Sequence, residues 1–435
     1  MALGTQPYKG ARDFYPEDKR LQKYLFGVMR QVVEQFGYEE YDAPILEPVD
    51  LYLAKSGEEI VNEQTYVFTD RGDRQVVIRP EMTPTVSRMV AAKRQELAYP
   101  LRWYSIPNLW RYERPQRGRL REHWQLNVDI FGVAGLEAEH EAIQLADSIL
   151  QAYGAKHDMY KIKLNSRKLM DEIFRGHLGL EEVQAYSLAK VIDRMNKLEH
   201  AAFVAQIDAI MSPSERESGK TERLLDILKA KTLGDLPESL QKHESVQQLK
   251  ELVKLLEASG LNNVDFDISV MRGFDYYSDI VFEVFDTSPE NNRSMFGGGR
   301  YDGLVALFGV EPVPTVGFGM GDVTLQNFLE VHDLLPKIKP ETDLYVVLIG
   351  DVYAEAQKTI SKLRQEGLKL AVDSSGRKAE KQIKSADKKD LNYALFIGEQ
   401  ELADEQFTLK DLKTGQEEKH SLDRIVSIIT DFRQN

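Results

Sequence analysis

Apolar residues along the chain follow two periods, and the switches between them mark its blocks. Residues 17–36 carry Leu21, Leu25, Val28, Val32 and Val33 on one stripe, which predicts a helix stopped by Gly37. The next stretch, YEEYDAPILEPVDLY, contains Pro44 and Pro48 and reads as an edge or linking strand. QVVIR at 75–79 predicts a short strand. Thr83 as N-cap with Pro84 at the first helical position predicts a helix to about residue 97, which leaves Glu81 in a strand-to-helix turn. Residues 101–113 and 123–131 are both strand-like. In the second, Trp124, Leu126, Val128 and Ile130 share one face, and His123, Gln125, Asn127 and Asp129 share the other. Together they predict an antiparallel hairpin with one polar face.

Residues 137–152 read as a helix and 159–165 as a strand. From about 168 to 260 the pattern is almost wholly helical, as in LAKVIDRMNKL and VQQLKELVKLLEASG, which predicts an inserted helical subdomain. Strand patterns return at 264–270 and at Ile280, Phe282 and Val284. A triple glycine leads into Arg300, Tyr301, Asp302 and Gly303, read as a glycine turn. VGFGMG at 316–321 precedes a helix from about 322 to 331, and tight packing of that strand on that helix accounts for its glycines. A proline-bearing linker covers 334–341. Beyond it the order strand 344–349, helix 354–366, strand 368–373, helix 377–387 and strand 393–397 predicts a small α/β domain with a mostly parallel sheet.

Composition narrows the class. The 435 residues are 42% hydrophobic and 29% charged, which fits a soluble protein of two or three domains rather than a disordered one. There is no apolar signal core at the start and no run long enough to span a membrane. Without cysteine there are no disulfides or thiolate metal sites, in keeping with a cytoplasmic location. A net charge of −14 argues against a general nucleic-acid coat but leaves room for local basic patches. One such patch is the loop RPQRGRLR, with Arg114, Arg117, Arg119 and Arg121, suited to polyphosphate or an RNA backbone. Another is the row Arg377, Lys381, Lys384 and Lys388, which is either a solvated face or a surface for RNA.

Several chemistries fall away. The histidines lack metal spacing, and no Ser-His-Asp or Cys-His arrangement is visible. Ser218-Gly219-Lys220-Thr221 ends like a P-loop, but Ser214 stands where the first glycine belongs. What remains is a set of arginines on strands, glycines and carboxylates, which suits phosphate chemistry run by positioning and charge.

These segments resemble the histidyl-tRNA synthetase family of class II. GARDFYPED resembles its N-terminal signature, GYEEYDAPILEP its motif 1, RPEMTPT its amino-acid-binding turn and WRYERPQRGRLREHWQLNVDIFG its motif 2. MRGFDYYSDIVFEVF and GGGRYDGL resemble the two histidine-specific motifs. DSSGRKAEKQIKSADKKDLNYALFIGEQEL resembles a class IIa anticodon-binding domain. The resemblance implies an α+β fold, with a class II antiparallel sheet flanked by helices in a catalytic domain at 1–333. The helical insertion at about 168–260, a linker at 334–341 and an α/β anticodon-binding domain at 342–435 complete it. It implies ATP as substrate, magnesium, histidine and tRNA(His) as partners, and a homodimer.

It also implies roles for residues. Arg272 and Arg111 are the catalytic arginines on carboxylate and α-phosphate. Glu81, Thr83 and Gln125 take the α-ammonium of histidine, Asp129 and Tyr277 its imidazole nitrogens, and Tyr276 and Tyr301 close the pocket. Glu113 contacts adenine, with Arg119 and Arg121 on the ATP side. Gln116 faces the tRNA acceptor end, and Arg377, Lys381 and Lys384 offer charge to tRNA. One departure stands out. Thr324 occupies the place of an arginine expected to hold the ATP γ-phosphate, for which Arg119, Arg121 or Arg300 are candidate substitutes. The alternative reading is an inactive, synthetase-like regulatory subunit of histidine biosynthesis. An intact Arg272 and the C-terminal domain argue against it.

Overall fold

The structure is a computed structural model and describes residues 3–53, 64–271, 276–291 and 293–434. It divides into two compact units, residues 1–13 with 23–335, and residues 14–22 with 336–435.

The first unit is organised on strands β1 (Glu39–Glu40), β2 (Leu46–Pro48), β3 (Tyr66–Thr69), β4 (Gln75–Ile78), β5 (Leu101–Ser105), β6 (Asn108–Trp110), β7 (Glu122–Phe131), β8 (Tyr160–Ser166), β9 (Val264–Phe266), β10 (Ile280–Asp286), β11 (Ser294–Arg300) and β12 (Thr315–Gly321). Nine of them form one sheet in the order β1-β5-β7-β12-β11-β10-β8-β9, with β6 pairing the outer part of β7. Its central pairings are antiparallel, and the two outermost, β1 with β5 and β8 with β9, are parallel. A three-stranded sheet, β2-β4-β3, stands apart from it. Helix Glu137–Ala152 matches its predicted bounds and buries Ile143, Leu145, Ile149 and Leu150. Between β8 and β9 the chain is helical, as expected of the insertion, and includes a π-helical turn at Glu172–His177.

Four expectations are corrected in this unit. The strand-like 101–113 is broken at Ile106–Pro107 into β5 and β6, because proline cannot donate to the ladder. The strand at 264–270 shortens to β9, after which Asp267 turns the chain by accepting from the Ser269 N–H and hydroxyl. Helix Thr83–Ala92 takes Met82 as N-cap with no side-chain cap, so Thr83 is its first residue and Pro84 its second, and it ends five residues early. Gly297, Gly298 and Gly299 form no turn. They lie inside β11, paired with β10 on one side and β12 on the other.

The second unit carries β13 (Leu344–Leu348), β14 (Leu370–Val372), β15 (Tyr393–Ile397), β16 (Phe407–Asp411) and β17 (Glu417–His420) in the order β14-β13-β15-β16-β17. Two pairings are parallel and two antiparallel, so the predicted sheet is extended by an unforeseen hairpin. Alternation places Leu344, Val346 and Leu348 in one core, with helices Tyr353–Gln365 and Leu422–Gln434. Tyr345 and Val347 fall in the other core, with helix Ala379–Lys388. No helix among the described residues is long and apolar enough to cross a membrane.

Candidate active site

The polar face of β7 becomes the floor of a cavity. Gln125, Asn127 and Asp129 alternate along it, opposite buried Leu126, Val128 and Ile130. Beside β7 runs β12, whose Gly317 pairs with Asp129 and Gly319 with Asn127. A Cβ on Gly317 would lie 2.4 Å from Asp129 Oδ1, and one on Gly319 would lie 2.8 Å from Gln125 Cδ. These glycines therefore make room for the polar side chains of the neighbouring strand. The nearest neighbours of Gly317 and Gly319 are thus on β7 and Tyr301, while Gly321 meets Thr324 of the following helix. The cavity is closed by Glu81 and Thr83 from the start of helix Thr83–Ala92, by Arg111 just after β6, and by Tyr276, Tyr277 and Tyr301.

Two carboxylates in this cavity are each held by a tyrosine hydroxyl. Tyr276 donates to Glu81 Oε2 at 3.1 Å, and Tyr301 donates to Asp129 Oδ1. Tyr52 steadies the Glu81 turn from outside by donating to its carbonyl at 3.1 Å. Burial pushes the Asp129 carboxyl up to about 7, against the Tyr301 hydrogen bond, and raises the Tyr301 hydroxyl as well. Its Oδ2 is sealed from solvent and has no protein partner among the described residues. The three tyrosine rings pack edge to face or tilted, at centroid distances of 4.8, 5.6 and 6.3 Å, and all three are buried.

Arg111 donates from Nε to the Pro80 carbonyl at 3.0 Å, which fixes its guanidinium beside the Glu81 turn. His123, behind it on the same face, is pushed down to about 3 by burial and by the positive charges of Arg111 and Arg12, and so stays neutral.

The loop beyond is a tight hairpin. Gln116 and Arg119 exchange backbone hydrogen bonds across Arg117–Gly118, with Gly118 at φ +78°. Arg119 meets Glu113 at 3.3 Å. Arg121 stacks 4.0 Å over the Tyr112 ring and donates to the Glu113 carbonyl and the Tyr8 hydroxyl. Glu113, Gln116, Arg119 and Arg121 thus lie on the loop and outside the cavity lining.

Thr324 turns its hydroxyl inward, donating to the Met295 carbonyl at 2.8 Å. Its methyl faces the hairpin tip, 3.7 Å from where a Gly118 Cβ would stand. Arg300 cannot serve a phosphate here: it is buried and bound through two nitrogens to Glu139, at 2.6 Å each. Arg272 lies outside the described residues.

The predicted site residues Glu81, Thr83, Arg111, Gln125, Asp129, Tyr276, Tyr277 and Tyr301 are therefore gathered in one cavity. Asn127, which donates to the Gln125 carbonyl at 3.0 Å, had been placed on the polar face without a role. In the second unit Arg377 precedes helix Ala379–Lys388 and is tied to Asp373 at 2.7 Å, so it does not continue the helical row. Lys381 is exposed, and Lys384 is exposed beside Glu380 at 3.0 Å.

Against known proteins, a sequence profile described as "Histidyl-tRNA synthetase" matches residues 10–323, and one described as "Anticodon binding domain" matches 343–432. The chain belongs to the histidyl-tRNA synthetase family. A histidine--tRNA ligase of Leptospira biflexa is 47% identical over 94% of both chains, and one of Thermoplasma volcanium is 38% identical over 97% of both. The crystal structure of a histidyl-tRNA synthetase from Nostoc shares the fold, with a TM-score of 0.80 over 99% of this chain and 100% of that one, at 23% identity.

Proposed function

We propose that this chain is a histidine--tRNA ligase, which activates histidine with ATP and transfers it to tRNA(His). One observation carries the reading: a cavity with two tyrosine-held carboxylates, Glu81 and Asp129, beside the fixed guanidinium of Arg111. Glu81, with Thr83 and Gln125, takes the α-ammonium. Asp129 and Tyr277 take the imidazole nitrogens through acceptor and donor groups, and Tyr276 and Tyr301 hold the carboxylates and wall the pocket. Such paired recognition rejects analogues that lack the hydrogen bonds by up to roughly 10⁴-fold.

Arg111 and Arg272 draw the histidine carboxylate toward the α-phosphorus and neutralise the charge that builds there. A carboxylate oxygen forms a bond to phosphorus as the bond to pyrophosphate breaks. The ionised carboxylate needs no general base. The tRNA terminal hydroxyl then attacks the acyl carbon, and AMP leaves. Magnesium bound with the triphosphate would supply charge neutralisation there. No group of three or more His, Cys, Asp or Glu side chains suited to a metal is present among the described residues, and magnesium needs no protein cage when phosphates and water supply its ligands.

Glu113 meets adenine. With Arg300 committed to Glu139 and Arg121 stacked between tyrosines, Arg119 is the arginine that follows the ATP tail in place of the one that Thr324 replaces. Gln116 on the hairpin, and Lys381 and Lys384 on the second unit, face tRNA. We read residues 1–333 as catalytic, 342–435 as anticodon-binding, and the protein as a cytoplasmic homodimer.

The test is charging of tRNA(His) with radiolabelled histidine. Arg272→Ala is expected to lose charging and adenylate formation while histidine still binds by calorimetry. Folded protein that charges no tRNA contradicts the reading.

A further inference from the structure

Behind Asp129, outside the cavity lining, stand the buried hydroxyls of Tyr41 and Ser105. Tyr41 continues β1 beside β5, its N–H donating to the Tyr104 carbonyl at 2.8 Å, which sets it next to Ser105. Ser105 in turn pairs with Asn127 on β7, and Trp103 pairs with Asp129. The Tyr41 ring lies against Trp103, at a centroid distance of 5.8 Å. Its path therefore runs diagonally to Asp129 on the cavity's side of the sheet.

The Tyr41 hydroxyl, the Ser105 hydroxyl and Asp129 Oδ2 are all sealed from solvent; the two hydroxyls have at most each other, and Asp129 Oδ2 has no hydrogen-bond partner among the described residues. The register places Tyr41 beside Ser105, on the face of the sheet that Asp129 shares. After burial, the Asp129 charge is the largest influence raising the Tyr41 hydroxyl, and its hydrogen bond with Ser105 lowers it. A buried carboxylate oxygen left without a partner is uncommon, since buried polar groups are nearly always paired.

We propose that Tyr41, supported by Ser105, is a positioning residue for histidine, its hydroxyl donating to Asp129 Oδ2 when that carboxylate faces the imidazole. Tyr301 then holds one oxygen of Asp129 and Tyr41 the other. A carboxylate oxygen has lone pairs enough to accept from Tyr41 and from an imidazole N–H together. The short side chain fits this arrangement. Aspartate keeps its carboxyl close to the sheet, within reach of a hydroxyl from the neighbouring strands. The inference rests on the reading of Asp129 as the imidazole partner.

Pyrophosphate exchange on full-length Tyr41→Phe, Ser105→Ala and Asp129→Ala proteins tests both levels. Tyr41→Phe is expected to raise the KM for histidine about tenfold, the effect of losing a hydrogen bond to a charged group. The KM for ATP should stay within about twofold, and the thermal midpoint should be kept, since the ring still packs on Trp103. Ser105→Ala should raise the KM for histidine in the same direction but less, and it decides the matter if Tyr41→Phe fails to fold. If Asp129→Ala raises the KM for histidine while Tyr41→Phe and Ser105→Ala do not, the inference is overturned and the reading of Asp129 stands. If Asp129→Ala leaves that KM unchanged, the reading of Asp129 falls and the inference falls with it. Equal rises in both KM values, with a lower thermal midpoint, mark Tyr41 as a packing residue only and also overturn the inference.

Discussion

Asp129 occupies a place where ionisation is costly until a ligand arrives. Burial lifts its carboxyl to about 7 in the folded protein, well above the ordinary value near 4. A folded value above the unfolded one contributes stability that is fully present below about 4 and is lost as pH rises through about 7. Asp129→Asn removes the group responsible. Its urea unfolding energy is expected to match the parent near pH 4 and to exceed it by roughly 2–4 kcal/mol at pH 8. An equal difference at both pH values would contradict this account of Asp129. The side of the sheet that Asp129 faces is legible in the sequence, because a strand's period of two assigns Gln125, Asn127 and Asp129 to one face. Its partner Tyr301 is not. It lies 172 residues away and reaches Asp129 only because β12 and β11 follow β7 in the sheet.

At the scale of elements, the floor depends on strands packed too closely for side chains. A Cβ on Gly298 would lie 2.1 Å from the Gly317 carbonyl oxygen, a backbone atom that cannot move aside. Gly298→Ala should therefore destabilise the protein by about 1–3 kcal/mol or more in urea unfolding. Gly319→Ala meets the Gln125 side chain first, so it should mainly raise the KM for histidine and leave unfolding energy less affected. The run of three glycines reads as a turn because turn and strand share the same residue. What separates them is the identity of the neighbouring strands, which no local pattern contains.

Arg300 teaches the same lesson. Beside a glycine run it looks available for phosphate, yet its partner Glu139 comes from helix Glu137–Ala152. Arg300→Ala leaves a buried carboxylate uncompensated and is expected to cost about 3–5 kcal/mol of stability. Loss of ATP affinity with unchanged stability would show that Arg300 serves the phosphate after all. Helix Glu137–Ala152 is more legible in the sequence, since it buries a stripe with an uninterrupted 3.6 period.

At the scale of the molecule, activation and tRNA reading should separate. Lys381 and Lys384 sit on the second unit, and the cavity lining belongs wholly to the first. Charge reversal at both lysines should weaken tRNA binding and flatten its salt dependence, with adenylate formation unchanged. The departure at Thr324 bears on the whole account. On the proposed reading the ATP tail is held by the hairpin loop rather than from helix Asp322–Val331, whose Thr324 hydroxyl is turned to Met295. Arg119→Ala should accordingly raise the KM for ATP more than that for histidine. The most direct measurement of the central claim is exchange of labelled pyrophosphate into ATP by purified protein, with each of the twenty amino acids in turn and no tRNA present. Exchange that depends on histidine alone is the predicted result. Well-folded protein that binds histidine and supports no exchange would contradict it.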